Sequence, residues 1–144
     1  MMRSILPPLL MLTLAAASAG VGAAEQRLNC DFRSEVRIKS LSVSSPMPEV
    51  LFVTDKIIVA FDTGDAATIT DAEKGAARSV RHVVTSGGEH FLDESKPGQL
   101  TVLSVLQPDA TGRRIAIWST HAWGTAGADY ARPSQRYGNC TAAT

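Results

Sequence analysis

The chain has 144 residues, with 14 Lys or Arg against 14 Asp or Glu, so its formal net charge at pH 7 is zero. A surface that binds nucleic acid or anionic lipid would show as an excess of basic residues, so we expect neither partner. The length fits one domain that can bury its own hydrophobic core.

The first 24 residues are predicted to be a secretory signal peptide. Arg3 supplies the positive charge, an apolar run follows over 5–17, and small residues allow cleavage after Ala19 or Ala24. The run is shorter than the roughly 20 apolar residues that cross a bilayer, so no membrane span is expected after cleavage, and an uncleaved anchor is the alternative. We therefore expect a periplasmic or secreted protein with a single β domain over 25–144.

The two cysteines, Cys30 and Cys140, stand near the two ends of this domain. In an oxidising compartment an isolated pair favours one disulfide bond, which would tie down both ends of the fold. Two unpaired, buried thiols are the alternative.

The first half of the domain is predicted to form strands because its apolar runs alternate or are rich in β-branched residues. A strand is expected over 35–43, with a bulge near Ser40, where the apolar residues change parity. The runs 50–54 and 57–62 form either a hairpin across Asp55 and Lys56 or one longer strand bent at Asp55.

Weaker strands are predicted over 66–70, 79–85 and 89–93. The segment 71–78 between the first two has no apolar stripe and contains Gly75, so we expect a loop or a single helical turn there.

The clearest element is a hairpin over 100–121. Two runs rich in Val, Ile, Leu, Thr and Trp flank a turn at 107–112 that contains Pro108, Asp109 and Gly112. Turn signals recur every eight to twelve residues from about residue 35 onward, a spacing typical of all-β folds. The sequence thus predicts a small antiparallel barrel or sandwich of seven or eight strands whose termini are joined by a disulfide.

No catalytic, cofactor-binding or metal-binding residue is predicted. The three histidines do not stand at zinc spacings, no serine lies in a nucleophile elbow, and no glycine-rich loop follows a strand and opens a helix. Four polar residues within 89–94 could hold a metal, but we interpret them as a hydrated loop. A Ser/His/Asp set using Asp109 and His121 could arise only through the fold, so the pattern favours a non-enzymatic protein.

The aromatic residues of the last quarter of the chain are the remaining candidates for a binding surface. Trp and Tyr are enriched at binding hot spots and are also ordinary core residues. Trp118, Trp123, Tyr130 and Tyr137 belong to this group. The loop 122–130 contains two glycines, so we name Trp123 and Tyr130 as the candidate surface for a protein or small ligand.

Short motifs resemble a class of small secreted bacterial proteins: Cys-Asp-Phe at 30–32, the hairpin at 100–121 with Ser-Thr-His at its end, and Tyr-Gly-x-Cys at 137–140. That resemblance implies a compact β fold with tied ends and no particular activity. A second resemblance is to periplasmic lysozyme inhibitors of the small β-barrel type, which carry a Ser-Gly-Ala-Arg-Tyr-like loop. The corresponding segment here is 75–79, with Ser79 in place of the tyrosine.

The sequence therefore favours an exported, non-enzymatic binding protein. The alternatives are a periplasmic protein that resembles lysozyme inhibitors and a hydrolase whose site is assembled only in three dimensions.

Overall fold

The protein is an antiparallel β-barrel. The computed structural model describes residues 24–38, 48–122 and 133–143, and no helix occurs in these ranges. The strands are β1 (Gln26–Ile38), β2 (Pro48–Phe61), β3 (Ala66–Asp71), β4 (Ala77–Thr85), β5 (Gly88–Asp93), β6 (Gln99–Leu106), β7 (Arg114–Ala122) and β8 (Ser134–Ala142). Each strand pairs with the next, and β8 pairs with β1 to close the barrel. The prediction of a barrel or sandwich of seven or eight strands is confirmed, as a barrel of eight.

The predicted hairpin at 100–121 is also confirmed, as β6 and β7. Its turn is held by the carboxylate of Asp109, which accepts hydrogen bonds from the backbone N–H groups of Thr111, at 2.8 Å, and Arg113, at 3.1 Å. Gly112 has φ +80°, a conformation that glycine adopts at no steric cost. Both turn residues thus act as the sequence suggests.

The prediction for the first strand is wrong in its start, and the strand has a register shift that was not predicted. β1 begins at Gln26 rather than at residue 35, and its register shifts between Phe32 and Ser34. The expected bulge position, Ser40, lies outside the described residues. The early part forms a strand because Leu28, Cys30 and Phe32 alternate into the core while their polar neighbours face outward.

Three further parts of the chain can be compared with the predictions: residues 48–61, the segment 71–78 and the last strand. Residues 48–61 form the single long strand rather than a hairpin across Asp55 and Lys56. The segment 71–78 is a tight turn, in which the Asp71 carboxylate accepts hydrogen bonds from two backbone N–H groups, and then the start of β4. The last strand, β8, has no counterpart in the predicted elements because Gly138 and several polar residues break its apolar pattern.

The apolar core occupies one half of the barrel interior, and the disulfide is part of it. Cys30 and Cys140 are directly opposed on β1 and β8, are bonded to each other, and are both buried. The predicted disulfide is therefore confirmed, and the alternative of two free thiols is wrong. The bond joins the first strand to the last, at the seam where the barrel closes.

The predicted signal peptide lies almost wholly outside the described residues and stays a prediction, as does export. Among the ranges that the structure describes, no helix has the length and apolar character needed to cross a membrane.

Candidate functional site

The barrel interior divides into an apolar half and a polar half. The apolar half holds the disulfide and the aromatic core. The polar half lies towards the ends of the strands that adjoin the connections 39–47 and 123–132. Six inward-facing residues define what we call the Trp118 cluster: Glu35, Asp55, Arg78, Asp93, Trp118 and Arg136.

Trp118 is the centre of this cluster. Its indole packs edge-on against Phe32, with ring centroids 5.5 Å apart, so one edge of the indole adjoins the core. The guanidinium carbons of Arg78 and Arg136 lie 5.2 Å and 5.7 Å from its ring centroid. Both distances are within the range of cation–π attraction, so the indole is a contact surface for two positive charges.

Arg136 binds two carboxylates. Its Nε donates to Glu35 Oε2 at 3.0 Å, and its Nη1 lies 2.7 Å from Asp55 Oδ2. Glu35 faces inward because the register shift in β1 reverses the alternation after Phe32, which places Glu35 directly opposite Arg136. The side chain of Glu35 is 11% exposed and that of Asp55 is 42% exposed. Glu35 therefore fixes the guanidinium from inside, and Asp55 meets it from the solvent side.

Arg78 occupies the other side of the cluster. Its Nε lies 2.7 Å from Asp93 Oδ2, but the N–H is not aligned for a hydrogen bond and has no other acceptor in the described residues. Burial raises the pKa of Asp93, yet two hydrogen bonds from Ser95, together with Arg78 and Lys96, outweigh it and lower that pKa below its ordinary value. Asp93 is thus a fixed anion that neutralises the charge of Arg78 next to Trp118.

A further ion pair continues the cluster towards the rim of the barrel. Arg37 Nε donates to Glu49 Oε2 at 3.0 Å, and both residues face the interior side of β1 and β2. With this pair, the polar half contains three guanidinium groups and four carboxylates among the described residues. The charges nearly balance, so the site favours neither a bare cation nor a bare anion.

The apolar half is closed by a buried histidine. The ring of His82 stacks on Phe91, with centroids 5.0 Å apart, and contacts Phe61. Its Nδ1 lies 2.9 Å from Gly64 O and its Nε2 lies 2.6 Å from Glu89 Oε2. Both ring nitrogens therefore face oxygen acceptors, and His82 serves to pin the 62–65 connection onto the barrel.

The possible metal ligands within 89–94 do not converge. Glu89 binds His82, whereas His90 points outward and contacts the hydroxyls of Ser104 and Thr85, each at 3.0 Å. The interpretation of 89–94 as a hydrated loop is wrong for 89–93. These residues belong to β5, as the predicted strand over 89–93 indicates. No group of three His, Cys, Asp or Glu side chains suited to a metal ion occurs among residues 24–38, 48–122 and 133–143.

The structure does not bring Asp109 and His121 together. Asp109 lies in the turn before β7, and His121 lies near the far end of that strand, roughly 20 Å or more along it. The segment 75–79, which resembles the lysozyme-inhibitor loop, ends a turn and enters β4, where Arg78 faces Asp93 and Trp118.

The four aromatic residues of the last quarter of the chain do not lie together in one described site. Trp123 and Tyr130 lie outside the described residues, in the connection between β7 and β8. Tyr137 is on the outer face, where its hydroxyl donates to Gln135 Oε1 at 2.6 Å. Trp118 is the one aromatic of this group that the structure places in the cluster.

Sequence reasoning missed the charged members of the cluster. Arg78 and Arg136 look like ordinary surface residues because the inward parity of β4 and β8 cannot be assigned before the register is known. One signal could have found Arg78. It lies two and four residues before Val80 and His82, so in a strand all three side chains share one face, and a buried Val80 would place Arg78 inside.

Comparisons with protein-family models, with curated proteins and with solved structures find no match to this chain. Its function is therefore inferred from the fold and the site geometry.

Proposed function

We propose that the protein is an exported, non-enzymatic binding protein that takes a small zwitterionic ligand, one carrying a carboxylate and an ammonium group, at the Trp118 cluster. The observation that carries this proposal is the concentration of paired charges around one indole in half of the barrel interior.

Ion pairs of this kind add little to stability. Removing charges from water is costly, and apolar residues of similar size often serve a protein interior as well or better. The other half of the same barrel is filled with apolar residues in this way, and Phe32, Leu103 and Val105 there are fully buried. A purely structural barrel would gain little from the Trp118 cluster, so we assign the cluster to recognition.

The chemistry of the exposed groups indicates the ligand class. Arg136 is 34% exposed, and its guanidinium can meet a carboxylate through two parallel N–H donors. Asp55, only 2.7 Å away and more exposed, can accept from an ammonium group. Because the two opposite charges are adjacent, a zwitterion satisfies both without leaving either residue unpaired.

Trp118 fluorescence tests the proposal directly. The chain has two tryptophans, so a Trp123→Phe variant reports on Trp118 alone. We expect 4-aminobutanoate to change the emission saturably, and butanoate or butylamine, which keep one charge each, to bind more weakly. Calorimetric titration of the unaltered protein checks that the variant has not changed the site.

Two variants provide the comparison. Arg136→Gln in the Trp123→Phe background should remove the response, whereas Arg113→Gln, which changes an exposed arginine at the far end of the barrel, should leave it intact. A response that survives Arg136→Gln, or the absence of any response to the zwitterion, would contradict binding at this cluster.

A further inference from the structure

The second strand has an edge that no neighbouring strand covers. The ladder between β2 and β3 starts at Ile57, which is opposite Asp71, and the last bond on that side runs from Ala72 N–H to Lys56 O at 2.9 Å. Residues 48–55 pair with β1 on one side, and no described strand pairs with them on the other. This free edge, residues 48–55, therefore presents unpaired backbone donors and acceptors.

The outer face of the free edge is apolar. Phe52 is 95% exposed and Val50 is 65% exposed. Val36, opposite Val50 on β1, extends the same face, and Tyr137 adjoins it across Ser34. Exposed sheet edges usually carry charged side chains that block pairing with another strand. Here neither Val50 nor Phe52 supplies one, so the edge is suited to receive a strand.

We propose that the free edge pairs antiparallel with the free edge of a second copy of this chain. A two-fold axis near Leu51 sets Val50 opposite Phe52 of the second copy and Leu51 opposite its own counterpart. The contact is then isologous and closes as a dimer rather than a fibre. The contact uses the outward side chains of Val50 and Phe52, whereas the Trp118 cluster uses the inward side chain of Asp55 on the same strand.

Charge does not oppose a second copy as the occupant, and the sequence of the edge is self-complementary about Leu51. The chain has a formal net charge of zero at pH 7, so two copies do not repel each other as charged bodies. The free edge contains two charged residues: Glu49, which Arg37 binds at 3.0 Å, and Asp55, which lies 2.7 Å from Arg136. A two-fold axis near Leu51 also sets Glu49 opposite Val53, so no like charges are directly opposed across the contact.

Sedimentation velocity over a concentration series tests the proposal. The purified protein should change from monomer to dimer as concentration rises. Phe52→Lys should weaken the dimer about tenfold or more, because it removes a large apolar contact and places two positive charges across the axis. Ile115→Lys is the matched control, since Ile115 is also an exposed apolar residue, 55% exposed, but lies on a strand flanked by β6 and β8.

Hydrogen exchange supplies a measurement that needs no variant. Backbone amides within 48–55 should become more protected as the dimer forms, while those of the β6–β7 turn stay unchanged. A protein that remains monomeric at all accessible concentrations would overturn the proposal. So would a dimer that Phe52→Lys leaves intact, or an edge that is protected only when an unrelated extended peptide is added.

Discussion

Removing the disulfide should cost a large share of the folding free energy. Cys30 and Cys140 are separated by 110 residues along the chain. For a loop of that length, the loss of closure entropy in the unfolded state corresponds to about 5 kcal/mol at 25 °C. The native barrel gains little from the bond beyond this, because β1 and β8 already pair along most of their length. We therefore expect the effect to act through the unfolded chain.

Urea unfolding followed by far-ultraviolet circular dichroism measures this effect in a Cys30→Ala/Cys140→Ala variant. The free energy of unfolding should fall by about 4–5 kcal/mol, which approaches the whole stability of many single domains. The dependence on urea should become steeper, because the unfolded chain without the bond is more expanded and exposes more surface.

The reduced wild-type protein provides the control for packing. It keeps both sulfur atoms in the core, so it separates the lost crosslink from the lost volume. If reduction lowers stability by less than about 1 kcal/mol while the double alanine variant loses several, the cause is cavity formation, and the explanation by unfolded-chain entropy is refuted.

Three other changes have defined outcomes. Gly138→Ala should destabilise the barrel by about 2–4 kcal/mol in urea unfolding, because a Cβ there collides with the facing backbone of β1, whereas Gly87→Ala should have little effect. Asp93→Asn should lower stability at neutral pH and flatten the loss of stability in acid. The pKa of Asp93 is lowered, so its contribution is present above about pH 3.8 and disappears as pH falls through the folded-state pKa. Glu89→Ala should cost about 1–3 kcal/mol by chemical denaturation, because it leaves a nitrogen of the buried His82 without its partner.

The sequence predicts those strands whose apolar residues stand in uninterrupted runs. The hairpin of β6 and β7 is found because Val, Leu and Ile flank a turn whose residues each have a turn-forming property. β1 is predicted only in its last part, although Leu28, Cys30 and Phe32 alternate with polar residues as a half-buried strand does. β8 is missed because Gly138 and polar residues leave it few apolar side chains. Closing the barrel at this seam depends on pairing between the two end strands, whose register no local pattern displays.

The candidate site could not be assembled from the sequence for a related reason. Its members come from β1, β2, β4, β5, β7 and β8, so only the register of the whole barrel brings them together. Arg136 and Glu35 are 101 residues apart in the chain yet share a hydrogen bond. The aromatic residues of the last quarter include Trp118, but its place in a predicted strand favoured a core role, and the glycine-containing loop favoured Trp123 as the binding residue.

One irregularity in β1 contributes a residue both to the Trp118 cluster and to the apolar outer face beside the free edge. If the alternation that buries Leu28, Cys30 and Phe32 continued unbroken, Val36 would be the next apolar residue to face the interior, and Glu35 would face solvent. The register shift between Phe32 and Ser34 exchanges these directions. Glu35 then enters the barrel and binds Arg136, while Val36 joins Val50 on the outside. An apolar inner face and a polar outer face would have been the default for this part of β1, so the shift adds Glu35 to the cluster and Val36 to the apolar outer face.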